Sequence, residues 1–166
     1  MTTSKDNIFA AGDIATFPYW QTGEKIRIEH YTNAQEQGAY AAYNMMGKMI
    51  PYGNIPFFWT RNYNKSIASV GYNYGYNEFF VDGDINSEKF LAYYAKDNKI
   101  LAVTAMNRGQ DLLFLQEAMQ QNLMPSASDL KSGKETVASI KSKVLASKGG
   151  KCKKAGCCQK RGTSSK

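Results

Sequence analysis

Asp13 follows Gly12 directly, at the carboxyl end of a short apolar run, in the stretch "NIFAAGDIA". A run of that length suits a fully buried strand over Asn7–Ala11. Glycine then permits a sharp bend or a close backbone approach. Open α/β sheets bind ligands outside the carboxyl ends of their strands, where a carboxylate can accept a hydrogen bond from a ligand hydroxyl. The same Gly-Asp pair equally favours a plain turn for local reasons. His30 is the only histidine, and a lone histidine serves packing or surface roles as readily as catalysis. Trp59 closes the apolar cluster Phe57-Phe58-Trp59 in "PFFWT"; an indole there either stacks on a flat ring or packs in a core. Cys152, Cys157 and Cys158 stand among lysines. Three thiols with no fourth cysteine or nearby histidine do not make a closed zinc site. No Cys-x-x-Cys pair occurs. These cysteines suit acylation beside basic residues that attract anionic lipid, or a solvated tail.

The elements that must position these residues divide at a composition shift. After the first apolar run, Tyr19–Lys25 reads as a loop and Ile26–Glu29 as a short extended segment. From Asn33 to Gly47 the pattern is helical, with Thr32 or Asn33 as N-cap, a small-residue face of Ala34, Ala41, Ala42 and Met45, and Gly47 as the stop. Pro51 and Pro56 bracket a turn-rich connection that marks a domain boundary. Beyond it, Ser66–Tyr72, Glu78–Val81, Lys89–Ala95 and Lys99–Asn107 are β-branched or aromatic runs between turn signals. Asp97-Asn98 reads as a hairpin turn. Gln110–Gln121 is an amphipathic helix with Leu112, Leu113, Leu115 and Met119 on or near one face, stopped by Pro125, and Ser126–Leu130 is a short capped turn. The predicted class from residue 54 to 130 is α+β: an antiparallel sheet of four or five strands with one helix on it.

The net charge of +7 hides two different objects. Residues 1–130 hold ten basic and thirteen acidic residues; residues 131–166 hold eleven basic residues against the single acid Glu135. "KETVASIKSKVLASK" suits a marginal helix, and the Gly/Ser/Lys-rich "GGKCKKAGCCQKRGTSSK" suits a disordered tail. No apolar run is long enough to span a bilayer as a helix.

Three motifs carry a resemblance: "NIFAAGDIATFP", "RIEHYTNAQEQGAYAAYNMMG" and "IPFFWTRNYNKSIASVGY". In their order and spacing they resemble the closing part of FAD-dependent pyridine-nucleotide oxidoreductases, in the group of ferredoxin reductases and apoptosis-inducing-factor-like proteins, and the likeness covers about residues 3–130. It implies residues 1–50 as the end of an FAD/NAD(P)-binding domain, 51–130 as the reductase C-terminal domain, and 131–166 as a separate basic tail. It also implies FAD and NAD domains ahead of residue 1, since no Gly-x-Gly-x-x-Gly occurs in this sequence.

Carried over by resemblance, Asp13 bonds a ribityl hydroxyl of FAD while Gly12 lets the backbone approach. The helix starting near Asn33 aims its N-terminus at the flavin O2 edge, with Tyr31, Thr32 and Asn33 at the contact and the Glu29-His30 pair before it. Trp59 projects toward the isoalloxazine and nicotinamide. The implied activity is hydride transfer from NADH or NADPH to FAD, and electron delivery to a ferredoxin or Rieske-type centre or another acceptor. The implied location is intracellular, cytoplasmic or mitochondrial. Two other classes stand beside this reading: a non-catalytic structural remnant, and electrostatic attachment of the basic tail to membrane or nucleic acid. The tail holds no aromatic residue for base stacking, so any nucleic-acid binding through it is unspecific.

Overall fold

The computed structural model describes residues 1–151. The disorder expected for the Cys/Lys-rich end, and the three cysteines, lie outside them. The chain opens with a small hairpin, β1 (Thr16–Pro18) against β2 (Lys25–Arg27), then helix α1 (Tyr31–Met45). A five-stranded antiparallel sheet follows, from β3 (Phe57–Asn62), β4 (Lys65–Gly71), β5 (Glu78–Asp84), β6 (Lys89–Lys96) and β7 (Lys99–Met106), in the order β3-β4-β7-β6-β5. Helices α2 (Gly109–Gln120), α3 (Ala127–Lys131) and α4 (Val137–Lys151) complete it.

Two turns set the sheet's register. Asp97-Asn98 joins β6 to β7, and Tyr63-Asn64 joins β3 to β4; all four residues have positive φ, between 48° and 68°. That is the two-residue loop whose twist matches paired strands. The backbone carbonyl and side chain of Asn98 also accept the amides of Ala127 and Ser128, at 2.9 and 2.8 Å, which docks α3 on the hairpin. Gly71 ends β4 at φ +85°, and a Cβ there would stand 2.2 Å from the Leu101 carbonyl.

The core forms between the sheet and α2. Val70, Leu91, Tyr93, Ile100 and Val103 meet Leu112, Leu115, Ala118 and Met119, and α4 adds Ile140 and Val144 against α2. Leu113, expected near this face, is 57% exposed, because it lies one position off the row of Leu112, Leu115 and Met119. Helix α2 ends at Gln120, five residues before Pro125; Asn122 takes φ +55°, so the turn precedes the proline.

Three expectations for the N-terminal part are corrected. Asn7–Ala11 is not a buried strand: only a single bridge, Thr2 to Phe9, forms there, Asn7 has φ +61°, and Ile8 is 55% exposed. A strand needs a neighbour in register, and the run finds only residues 1–3, through Thr3 N–H to Ile8 and Ala10 N–H to Met1. The N-cap of α1 is His30, not Thr32 or Asn33. Its inner face is polar, with Asn33, Gln37 and Asn44 buried beside Ala41, while Ala42 and Met45 are exposed. Unanticipated, Phe57-Phe58-Trp59 is strand rather than a loose apolar cluster.

Candidate functional site

The first turn of α1 is the hub. The side chain of its cap His30 accepts none of the helix's first amides, and the amides of Tyr31, Thr32 and Asn33 have no acceptor among the described residues. Unpaired amides at a helix start form its positive end. The side chains there hold the turn in place. His30 Nδ1 and the Thr32 hydroxyl are in hydrogen-bond contact, and Thr32 donates to the Phe57 carbonyl at 3.4 Å. Asn33 is buried because it joins two segments: its amide donates to the Ile28 carbonyl at 3.3 Å, and its Oδ1 accepts from the Tyr52 hydroxyl at 3.0 Å. The Tyr52 oxygen also lies 2.9 Å from Glu36 Oε2. Burial first, then the Glu36 carboxylate, raises the Tyr52 phenol above its ordinary range.

Gly12 meets this helix from the other side. Its amide donates to Gln37 Oε1 at 2.8 Å, a buried contact, and its backbone is tight against Ala34, where an added Cβ would lie 3.4 Å from the Ala34 Cβ. Gly12 has φ +82°, so close approach and left-handed backbone both favour glycine here. Asp13 is carried into solvent immediately after it. Gln37 Nε2 and Asn44 Oδ1, in the polar face, have no partner among the described residues.

Strand β3 supplies the third wall. It is a sheet edge, so Trp59 is not covered by a further strand and is 47% exposed. The Trp59 ring meets Tyr31 edge-on at 6.5 Å, and Phe58 meets His30 edge-on at 5.5 Å. The structure therefore brings His30, Tyr31, Thr32 and Asn33 together with Trp59, and seats Gly12 against Ala34 and Gln37 of the same helix, with Asp13 exposed beside it. Glu29 stands apart, exposed and paired with Arg27 at 2.5 Å. Sequence reading missed Gln37, which holds Gly12, and Tyr52, which holds Asn33. The spacing Asn33, Gln37, Ala41, Asn44 follows one helical face and was the available signal for the polar stripe.

The chemistry at this end of α1 suits a flavin ring. Free amides at a positive helix end match an electron-rich carbonyl edge, and the exposed Tyr31 and Trp59 offer apolar faces to a flat heterocycle. Asp13 stands ready as an acceptor for a hydroxyl.

A five-stranded antiparallel sheet with a helix on it and an aromatic edge strand beside a preceding helix defines a reductase C-terminal unit. The chain belongs to the reductase C-terminal family, which matches residues 57–140. It is 37% identical over 108 residues to apoptosis-inducing factor 3 of Mus musculus and of Homo sapiens, 64% of this chain and 18% of each relative. It is 32% identical over 117 residues to the 3-phenylpropionate/cinnamic acid dioxygenase ferredoxin–NAD(+) reductase component of Photorhabdus laumondii, 70% of this chain and 29% of that one. A solved structure, the covalent putidaredoxin reductase–putidaredoxin complex, matches with a TM-score of 0.73 at 27% identity, over 88% of this chain and 35% of that one. The chain thus spans less than a third of the curated relatives described.

Proposed function

We propose that this chain supplies the flavin-facing C-terminal portion of an FAD-dependent NAD(P)H oxidoreductase that passes electrons to a ferredoxin-type protein. FAD, when bound, supplies the hydride-accepting chemistry. In this reading the chain's residues position and shield. The Tyr31, Thr32 and Asn33 amides stabilise negative charge at the flavin edge. Asp13 holds the ribityl chain, with Gly12 setting the approach distance. Tyr31 and Trp59 keep water from the ring and set the space for a nicotinamide. His30 and Glu29 belong to the neighbourhood as supports, and no residue here is assigned as an acid or base. A ferredoxin as the acceptor protein is proposed from the names of the relatives, one a ferredoxin–NAD(+) reductase component and one solved with putidaredoxin, and a Rieske-type acceptor from the sequence resemblance alone.

The observation that carries the reading is that one helix, α1, meets the exposed Trp59 ring through Tyr31 at its uncapped start and seats the Gly12 turn against Ala34 and Gln37. The units 1–50, 51–130 and 131–166 are likewise proposed as functional divisions. Helix α4 packs on α2, which supports extending the 51–130 division past residue 130.

The test is flavin-fluorescence titration of residues 1–166 with FAD and with FMN. The pyrophosphate-binding turn Gly-x-Gly-x-x-Gly is not in this sequence, so the adenosine half gains nothing here. FAD and FMN are expected to bind alike, and weaker than micromolar, with no NADH oxidation. Submicromolar FAD binding that FMN does not share, or steady NADH turnover, would contradict the assignment of these residues to the ring half alone.

A further inference from the structure

A cavity lies away from the flavin-facing surface. It has a volume of about 630 Å³ and runs between the edge strand β5 and the start of α4. That size suits a small organic molecule. Its floor is the Phe80 and Tyr93 rings, stacked at 4.9 Å and 9°. Val81, Leu130 and Val137 add apolar wall.

The polar groups of this cleft are unevenly satisfied. Its carboxylates are already committed. Asp82 Oδ2 takes Arg108 Nη1 at 2.7 Å. Glu135 takes the Lys143 ammonium at 2.6 Å through one oxygen and the Ser139 hydroxyl at 2.6 Å through the other. Lys131 is likewise held, by Glu78, with its ammonium 5.2 Å from the centre of the Phe80 ring.

What remains is a set of donors. Tyr93 is buried and lines the cleft, and its hydroxyl makes no hydrogen bond to another described residue. Arg108 spends Nε on Asp111 and Nη1 on Asp82, which leaves Nη2 free. The amides of Val137 and Ala138 open α4 and have no acceptor among the described residues, while the Thr136 hydroxyl takes the Ser139 amide. A phenol hydroxyl with no protein partner is available to a ligand in the cleft, and helix-start amides add positive potential. Unmatched donors beside an apolar floor call for a ligand with an anionic head and an apolar body.

We propose that this cleft binds a small organic acid, its carboxylate taken by the Tyr93 hydroxyl, Arg108 Nη2 and the first amides of α4, and its apolar part held between Phe80 and Val137. The site is separate from the flavin-facing surface and does not depend on the function proposed for it.

The probe is benzoate, titrated into the full chain and read by amide NMR shifts and by calorimetry. Saturable binding with a dissociation constant on the order of a millimolar or below is expected for a ligand of this size, with the Val137 and Ala138 amides among the signals that move. Tyr93→Phe is expected to weaken it about tenfold, the loss of one hydrogen bond to a charged group. Ala138→Pro removes one amide at a position where a helix tolerates proline, and is expected to weaken binding too. It keeps the question open to measurement even where the tyrosine variant fails to fold. Benzyl alcohol, which lacks the charge, is expected not to compete. The proposal is overturned if benzyl alcohol binds as well as benzoate. It is also overturned if a folded variant at either position binds benzoate like the parent, or if no saturation appears at about ten times the expected constant.

Discussion

At Tyr52 one hydroxyl ties the start of α1 to the loop after it, through Asn33 and Glu36. Tyr52→Phe leaves a buried amide oxygen without its donor and is expected to cost about 1–2 kcal/mol in a urea melt. Trp59 is the contrasting case. Half-exposed on an edge strand, it contributes little to the fold, so Trp59→Ala is expected to change stability by less than about 1 kcal/mol. In the proposed reading its effect falls on hydride transfer instead. A pH dependence follows from three tyrosines. Burial is the first cause raising the phenols of Tyr19, Tyr52 and Tyr93, joined at Tyr52 by Glu36 and at Tyr93 by Asp82, with Arg108 opposing. Their folded pKa values lie above the ordinary value of 10.0, so the fold favours the protonated phenols. The stabilisation is full below pH 10 and is lost as pH rises above it, because the unfolded chain releases these protons first. Urea midpoints measured across pH 8 to 11 should hold steady and then fall; a midpoint still flat at the top of that range would contradict it. At this scale the sequence was informative where a residue type is rare in its setting, as with Gly12 before Asp13. It was silent on Tyr52, whose importance comes from a partner nineteen positions away.

Strands and hairpins were legible because local rules decide them. Asp97-Asn98 declares a turn by residue type, and the runs around it alternate as paired strands do. The N-terminal apolar run misled for the opposite reason: its composition suits a buried strand, but pairing is decided by a neighbour, and only residues 1–3 meet it. Helix α1 misled in another way. Small residues suggested a packing face, whereas loop carbonyls and the Gly12 amide draw Asn33, Gln37 and Asn44 inward instead. Two predictions belong to elements. Gly71→Ala is expected to destabilise the fold by at least about 2 kcal/mol, since a Cβ at φ +85° would collide with the Leu101 carbonyl. Ile140→Ala is expected to cost about 2–5 kcal/mol, because Ile140 is fully buried where α4 meets α2. The exposed Leu145, on the same helix, is the control and should change stability little when replaced by alanine. Equal, small losses at both positions would mean that α4 does not belong to the folded unit.

Across the molecule, the β3 sheet edge and the start of α1 are accessible on the same side, where Tyr31 meets Trp59. The family resemblance read from three motifs is what proposed that surface as the flavin site; the physical reading of separate residues did not, since Gly12, Tyr31 and Trp59 are spread over 47 positions of sequence. No helix among the described residues is long and apolar enough to cross a membrane. The central proposal is that the uncapped start of α1 and Trp59 face an isoalloxazine ring, with the Gly12-Asp13 turn at the ribityl chain. The most direct measurement is an amide and indole NMR titration of the chain with FMN. The account predicts shifts concentrated at Gly12, Asp13, Tyr31, Thr32, Asn33 and the Trp59 indole, reduced by Trp59→Ala and absent when ribose phosphate replaces FMN. Shifts that leave these residues still while others move, or an identical pattern with ribose phosphate, would contradict it.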